Sequence, residues 1–476
     1  MTTRERSRTG VRAAVAVALA GVTLLGAVAA WAAPAAGGRK SVSDQILEIL
    51  LEKKIITPEK YEALRRQVLA ERAERQRRRR RQYRVKYRPG KGLALERGDG
   101  ADSLALTGRL QLDAKAFTSR SGDHASFFVR RARLAARVKW HEHFRAFVEL
   151  EMGKGKTGLN DAFLEIYWRP ALRLRLGQFK QPFSMEELYS DNWIWTMERS
   201  LADSLVPGRD IGVMLHGSLA GGALYYAASV YNGNGKNRAA DTDGAKDLAG
   251  RVVVAPLRGR GGGLFRDFYL GAAATWGRQD AGAADWWRGG KLTTAAGNTW
   301  FRVDPAVRQN GVRSRLGGEL FWSLGPLAFM GELARSEFHG LEKDGRSYDL
   351  GLWGGYAMVS WLITGEHAGF KDGKPAAIRP RRDFSWGEGG GWGAWQLVLR
   401  YDWLQADSGW RDHGLVDPGL YADGAWGWTV GLNWYLNHMV RCMLDFFDYR
   451  FAQPVLIHSQ AVDQEQGFLG RIQIVY

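Results

Sequence analysis

Cationic side chains occupy four of five alternate positions along one short segment of the chain, 131–139. Arg131, Arg133, Arg137 and Lys139 share one parity, whereas the even positions of 132–140 are apolar. Guanidinium and ammonium groups donate charge-assisted hydrogen bonds to oxyanions. On a strand, cations two positions apart stand about 7 Å apart, since each residue advances about 3.3 Å. Such a row predicts successive, individually weak anion-binding positions.

The preceding segment repeats the pattern. Within 104–116 the odd positions from Thr107 to Lys115 are polar and include Arg109, whereas the even positions are apolar or glycine. Successive side chains of a strand point to opposite faces, so each segment has an apolar face and a charged face. The same alternation recurs in later segments and continues to the last residue, Tyr476. We therefore predict an all-β fold, an antiparallel transmembrane β-barrel of about 16 strands with a cationic lumen.

The N-terminus has the composition of an exported protein. Four arginines precede an Ala-rich apolar run from Ala13 to Ala33, and Ala30-Trp31-Ala32 offers a small-x-small cleavage site. We expect residues 1–32 to be a cleavable signal peptide and the mature protein to lie in the cell outer membrane, with an uncleaved membrane anchor as the alternative. The single cysteine, Cys442, excludes an internal disulfide.

The net charge of +17 is concentrated before the predicted barrel. Residues 1–32 carry +3, residues 39–98 carry +11, and 99–476 carry only +3. We expect 33–98 to be a short helical, Arg-rich periplasmic extension, because Thr57-Pro58-Glu59 is a good helix start. The run Arg77–Arg81 either contacts anionic lipids or cell-wall polymers or is a solvated connector. Export argues against a nucleic-acid partner.

Residues 99–476 form the predicted barrel domain. Sixteen candidate strands lie near 103–118, 125–140, 143–152, 158–169, 171–180, 209–218, 222–232, 247–256, 267–277, 313–324, 326–338, 347–363, 394–404, 425–436, 439–450 and 466–476. Long polar loops lie at 181–208, 233–246, 278–312, 364–393 and 405–424, and the other connections are short. We expect the long loops at one rim and the short turns at the other.

Aromatic residues support a membrane location. Many of the twenty tryptophans fall near predicted strand ends, and amphipathic aromatics favour the boundary between hydrocarbon and water. The last strand places Phe468, Ile472 and Tyr476 on one face and ends on an aromatic residue. That ending resembles the C-terminal signal of barrel proteins that are inserted into the outer membrane.

Several segments together resemble the phosphate-selective porin O and P family. They are FFVRRARLAARVKW (127–140), LRLGQFKQPFSMEEL (174–188), MERSL (197–201), GRDIGV (208–213), WLITGE (361–366) and TVGLNWYLN (429–437), with ILEILLEKKIITPEKYEAL (46–64) resembling the family's helical preface. The resemblance implies a sixteen-stranded porin, usually a homotrimer in the lipid bilayer, that passes phosphate-like small anions.

The resemblance also implies an arginine ladder along the lumen. The residues that fit inward faces are Arg109, Lys115, Arg131, Arg133, Arg137, Lys139, Arg145, Arg173 and Arg175. The same faces carry acids, namely Asp113, Glu149, Glu151, Asp161, Glu165 and Asp402. The alternative is therefore a weakly selective pore in which arginines and acids pair across the lumen. Loop 181–208 either folds inward to narrow the channel or remains at the surface.

We expect no enzymatic activity, no cofactor and no metal. The sequence has no G-x-S-x-G, no H-E-x-x-H and no phosphate-cradling glycine loop. His141-Glu142-His143 places two histidines in a turn where they point apart, so a plain turn is favoured over a metal site. The alternative classes are a barrel hydrolase, a barrel that tethers the outer membrane to the cell wall, and a soluble periplasmic β-protein.

Overall fold

The computed structural model describes residues 42–118, 123–155, 157–238, 241, 244–258, 263–282, 290–387 and 389–476. The predicted signal peptide and its cleavage site lie outside these residues. The chain divides into two units, one ending at Arg78 and the other comprising Arg79–Tyr476. Within the described residues, no helix combines the length and the apolar character needed to cross a membrane.

The described residues of the first unit lie mainly in two helices. Helix α1 (Val42–Glu52) buries Leu47, and helix α2 (Pro58–Arg81) begins at the predicted proline, where the Thr57 hydroxyl accepts the Lys60 N–H. An ion pair of 2.8 Å between Arg72 and Asp44 joins the two helices. The basic run at the end of α2 is helical rather than irregular.

Sixteen antiparallel strands form the closed barrel of the second unit, as predicted. They are β3 (Ser103–Phe117), β4 (Ser126–Trp140), β5 (Phe144–Glu151), β6 (Gly158–Arg169), β7 (Leu172–Lys180), β8 (Arg209–Leu219), β9 (Leu224–Tyr231), β10 (Asp247–Val254), β11 (Phe268–Gly282), β14 (Arg308–Leu324), β15 (Leu327–Lys343), β16 (Arg346–Leu362), β19 (Ala394–Ala406), β20 (Gly424–Tyr435), β21 (Val440–Ile457) and β22 (Gln460–Val475). Pairing of β22 with β3 closes the barrel, with Arg471 opposite Asp113.

Short elements complete the described part of the chain. A hairpin of β1 (Tyr83–Arg88) and β2 (Gly92–Arg97) precedes the barrel, and the loops carry β12 (Lys291–Thr293) with β13 (Thr299–Arg302) and β17 (Phe370–Lys371) with β18 (Lys374–Pro375). The loops also contain α3 (Met185–Leu188), α4 (Gly409–Asp412) and 3₁₀ turns at Gly153–Gly155, Leu201–Leu205 and Ala220–Gly222.

The β1–β2 hairpin departs from the expected helical extension over 33–98. Strand β2 pairs with the first residues of β3, with Leu95 opposite Leu104, below the point where β22 ends. The chain end pairs higher on β3, since Tyr476 and Gly108 exchange two backbone hydrogen bonds. Strand β2 thus covers the first part of β3, with which β22 does not pair, so that this strand edge is not exposed. Alternating residues such as Tyr83, Val85 and Tyr87 favour strand over helix.

The outer face of the barrel is apolar with tryptophans near strand ends. Leu112 and Ile472 on the two closing strands are 47% and 55% exposed, and Trp140 and Trp168 are 60% and 50% exposed. The alternation predicted for both closing strands is confirmed, since Gln111 and Arg471 between the apolar positions are buried. The outer face therefore matches the apolar band and aromatic girdle of outer-membrane barrels.

The distribution of loops between the rims differs from the prediction in one respect. The rim where β3 begins and β22 ends, here the terminal rim, also holds loop 363–393, whose His367 contacts Ser323 and whose Phe384 N–H bonds to Leu436 O at that rim. The opposite, far rim holds the other long loops but also two-residue turns after Lys343 and Ile457. Loop 363–393 follows the twelfth barrel strand, and every even-numbered connection of an up-and-down barrel lies at the terminal rim.

The interior has two unlike halves. The wall of β14–β16 and β19–β21 meets loops 290–307 and 407–423 in an apolar core that includes the fully buried Phe338, Trp410 and Phe447. We call this part the apolar half. The opposite wall, β3–β9, lines most of the two cavities described below and is here the charged half. The wall of the apolar half also carries buried charged side chains such as Glu332, Arg400 and Arg441, but these contact the loop that fills that side.

Candidate functional site

A β-bulge sets the direction of the arginines on β4. The pairing of β3 with β4 shifts between Gln111 and Leu112, so that Arg130 is inserted into the ladder. Arg131 and Arg133 are buried, and Arg130 also reaches an interior acid, Glu198, at 2.7 Å. A bulge places two consecutive side chains on nearly the same face. Sequence alternation predicts only one of them, and for this reason Arg130 was missed.

A basic cavity of about 600 Å³ lies against the charged half. Ten Lys/Arg and five Asp/Glu line it, so it has an excess of positive charge. The cations are Arg109, Arg133, Arg137, Lys139, Arg145, Arg173, Arg175, Lys180, Arg209 and Lys374, and the acids are Glu149, Asp161, Glu165, Asp191 and Asp372.

Seven of the nine predicted ladder residues line this basic cavity: Arg109, Arg133, Arg137, Lys139, Arg145, Arg173 and Arg175. Arg131 instead lines a second cavity of about 540 Å³, which shares Arg133, Asp191 and Arg209 with the first. Lys115 lines neither; its ammonium group pairs with Asp123 at 2.7 Å.

The constriction loop, residues 181–208, crosses the interior from the charged half to the opposite wall. Its Trp195 carbonyl accepts from Asn433 at 2.7 Å, and its Leu201 N–H donates to Asp402 at 3.0 Å. Nearly all of the loop is buried. Arg199 of the loop pairs with Glu187 at 3.5 Å, and Arg209, which follows the loop, pairs with Asp161 of the wall at 2.8 Å.

Two glutamates of the opposite wall hold the beginning of helix α3. Glu332 accepts the Glu186 N–H at 2.6 Å and the Met185 N–H at 3.2 Å, and Glu319 accepts from Met185 at 3.0 Å. The Ser184 hydroxyl caps the helix by accepting from Glu187. Unpaired N–H groups at a helix start attract carboxylates, so the constriction loop is fixed on both sides of the lumen.

Asp191 of the constriction loop lies at the junction of the two cavities among four guanidinium groups. It is 2.5 Å from Arg199, 3.0 Å from Arg133, 3.3 Å from Arg131 and 3.9 Å from Arg109. Burial alone raises the pKa of Asp191, but these cations overcome it and hold the pKa well below its ordinary value. Asp191 therefore stays ionised and fixes the arginines that surround it.

The remaining cations of the basic cavity are neutralised unevenly. Arg175 pairs with Glu165 at 2.6 Å, and Arg173 pairs with Asp372 at 3.2 Å. In the part of the chain that the structure describes, Arg137 and Lys374 lie within 4 Å of no carboxylate. Lys139 likewise has no carboxylate within 4 Å among the described residues, but its ammonium group donates to the Gly100 carbonyl at 2.7 Å. The excess positive charge is therefore concentrated around Arg137, Lys139 and Lys374.

The sequence prediction missed the residues that loops bring into the cavity. Lys374 and Asp372 come from loop 363–393, and Asp191 comes from the constriction loop. Strand alternation says nothing about loop residues, because a loop has no fixed period. His141 and His143 lie in the β4–β5 turn, and no group of three metal-ligating side chains occurs among the described residues.

Comparison with known proteins agrees with this architecture. Two solved structures of OmpT, an outer membrane protein of Vibrio cholerae folded in vitro, each match 79% of this chain at 10% identity and a TM-score of 0.50, covering 100% and 98% of their own lengths. An uncharacterized protein of Caulobacter vibrioides is 26% identical over 383 residues, or 75% of this chain and 71% of the relative.

The closed barrel of sixteen strands, its apolar outer belt and its inward loop define an outer-membrane porin. The sequence model of the family described as phosphate-selective porin O and P matches residues 104–453. The chain belongs to that family.

Proposed function

We propose that this porin prefers anions and that the basic cavity selects them. The observation that carries the proposal is the excess of ten Lys/Arg over five Asp/Glu on the cavity wall. Walls of one charge sign raise the local concentration of counter-ions, and the low-dielectric wall strengthens the effect. The permeant class is small anions, including phosphate.

The cations work as a series of weak positions rather than as one deep site. Partners such as Glu165 keep the guanidinium of Arg175 in place and reduce its attraction for a passing ion. Conduction needs binding that is favourable enough for entry and weak enough for release. Because Arg137 and Lys374 have no carboxylate within 4 Å among the described residues, they attract the anion most strongly.

Asp191 limits how strongly an anion binds at the junction of the two cavities. Its carboxylate engages four guanidinium groups that would otherwise bind an oxyanion. A permeating anion has to share these donors with Asp191 and is not trapped. The cost is a lower anion preference than the arginine count alone suggests.

The proposal also includes an oligomeric state for the porin and an orientation of the barrel in the membrane. We expect a homotrimer in the outer membrane, with the terminal rim in the periplasm, since barrels of this kind have short periplasmic turns. One of the matched Vibrio cholerae structures is described as a trimer form. Contact of Arg77–Arg81 with anionic lipid or a cell-wall polymer stays a prediction.

A weakly selective general porin is the second candidate, and the five acids of the basic cavity favour it. A planar bilayer holding the purified protein between unequal KCl solutions separates the two candidates. The proposal is supported if the sign of the reversal potential shows that chloride permeates more readily than potassium and if added phosphate reduces the chloride current. A reversal potential near zero contradicts it and leaves the general porin.

A further inference from the structure

A row of aromatic rings runs across the wall of the basic cavity. Phe147 of β5, Phe163 of β6, Phe179 of β7 and Tyr231 of β9 form consecutive ring contacts. Their centroids are 5.6, 6.1 and 5.5 Å apart. These distances fall within the range of favourable aromatic pairs. The row faces the channel rather than the membrane.

Part of this aromatic surface is open to the cavity. Phe147, Phe163 and Tyr225 are half-buried and belong to the cavity lining, as do Leu188 and Met214. Apolar surface left in water is unfavourable by about 25 cal/mol per Å². A bare inorganic anion has no apolar part with which to cover such a surface, whereas an organic anion has one.

Guanidinium groups are stacked on the same rings. Arg175 lies 4.2 Å from the Phe163 centroid, and Arg137 lies 5.1 Å from the Phe147 centroid. A guanidinium stacks on aromatic faces while its N–H groups, in the plane, bind carboxylates. Arg175 also lies 5.5 Å from the Phe179 centroid, so two protein rings contact its guanidinium. Arg137 has one such ring among the described contacts, which leaves its other face for a ring of the ligand. The stack thus presents a hydrogen-bond donor and a flat surface together.

The second cavity provides an internal contrast. It is nearly as large and nearly as basic, with nine Lys/Arg and four Asp/Glu, yet its described lining contains no Phe, Tyr or Trp. Aromatic side chains therefore line the basic cavity but not the second cavity, so aromatic lining does not simply accompany a basic wall in this barrel. The basic cavity, at about 600 Å³, also lies within the 300–1,000 Å³ typical of sites for organic ligands.

We propose that the basic cavity binds a carboxylate carried on an aromatic ring. The carboxylate meets Arg137 and Lys374, and the ring lies against the guanidinium–phenyl stacks of β5 and β6. The inference deepens the proposed function, because it rests on an anion-preferring channel and names the substrate class of the same cavity.

Current block by two monocarboxylates tests the inference on the unmodified protein. Benzoate and acetate carry the same charge, and only benzoate carries a ring. We expect benzoate to reduce the chloride current at a concentration about tenfold below that of acetate, corresponding to one to two stacking contacts. Equal blocking concentrations overturn the inference.

Two matched variants test whether the stronger block by benzoate arises at the rings of the basic cavity. Phe147→Leu with Phe163→Leu removes both rings from the cavity, whereas Phe446→Leu removes a ring that contacts Phe468 on the outer face. The double variant is expected to raise the half-blocking concentration of benzoate about fivefold, the size of a lost stacking contact, while phosphate block stays unchanged. The Phe446 control is expected to match wild type, and a double variant that also matches wild type overturns the inference.

The proposed function and the inference fail in different ways. A channel that prefers chloride over potassium but blocks equally with benzoate and acetate keeps the proposed function and loses the inference. A channel without anion preference loses the proposed function, and the inference is lost with it.

Discussion

The two halves of the barrel interior are built from the same kind of strand but have different inward faces. In the apolar half, Phe338, Trp410 and Phe447 are fully buried among loop side chains. In the charged half, Arg137 and Lys374 face a water-accessible cavity. Apolar burial stabilises a protein, whereas uncompensated charge does not. The contrast teaches that one half supplies stability and holds the loops, which leaves the other free to carry net charge.

The largest expected effect is on stability and belongs to the apolar half. Trp410→Ala removes a fully buried ring that packs on Phe301 and Phe338 and donates to the Gly351 carbonyl at 3.1 Å. We expect a loss of about 3–5 kcal/mol in the free energy of unfolding. Urea titration in detergent, followed by tryptophan fluorescence, measures it.

Arg137→Gln is the matched change in the charged half. Arg137 has no ion pair within the described residues, so we expect a change within about 0.5 kcal/mol. Equal losses in the two variants would contradict the division of roles between the halves.

The next effect concerns the anchoring of the constriction loop. Glu332→Ala leaves the Glu186 N–H without an acceptor, at about 1–3 kcal/mol, whereas the Met185 N–H keeps Glu319 at 3.0 Å. Single-channel recordings should show larger and noisier currents, because the loop leaves the lumen for part of the time. Glu332→Gln retains an acceptor oxygen and should lie close to wild type. Quiet, unchanged currents in Glu332→Ala would show that other contacts hold the loop.

A smaller effect on selectivity is expected at the junction of the two cavities. Asp191→Asn keeps the shape of the side chain and removes the negative charge among four guanidinium groups. One charge at about 4 Å in water contributes about 1 kcal/mol, so the chloride-to-potassium permeability ratio should rise roughly fivefold. A ratio that falls would show that Asp191 serves mainly to position its arginines.

The smallest effect is a pH dependence of loop docking. Burial raises the pKa of Glu186 to about 7, and Arg400, Asp203 and Arg199 are the charged groups that act on it next. A carboxyl whose pKa is raised in the docked state favours docking at acid pH. That contribution is lost as the pH rises from about 4.5 to about 7. Current noise should therefore increase over this window in wild type and increase less in Glu186→Gln, where the neighbouring Glu332 carboxyl still titrates. A pH-independent wild type would contradict the prediction.

Strand alternation sufficed to predict the barrel and the inward direction of the seven predicted residues that line the basic cavity, and their role in binding anions stays a prediction. It failed where the backbone leaves the regular period, as at Arg130, where a bulge inserts one residue into the ladder. Alternation also could not predict that Lys374 lines the cavity, because the position of this residue depends on how loop 363–393 folds back into the barrel. The rim of that loop could have been predicted, since counting strands places the twelfth connection beside the chain ends.

The reversal potential across a KCl gradient tests the central claim most directly when it is measured on three proteins. Arg137→Gln with Lys374→Gln removes two of the three cavity cations that lack a carboxylate within 4 Å among the described residues, and Arg335→Gln removes an exposed arginine that pairs with Glu337. We expect a chloride preference in wild type and in Arg335→Gln, and a reversal potential shifted toward zero in the double variant. An unchanged potential in the double variant would contradict the account, because selectivity would then arise outside the basic cavity.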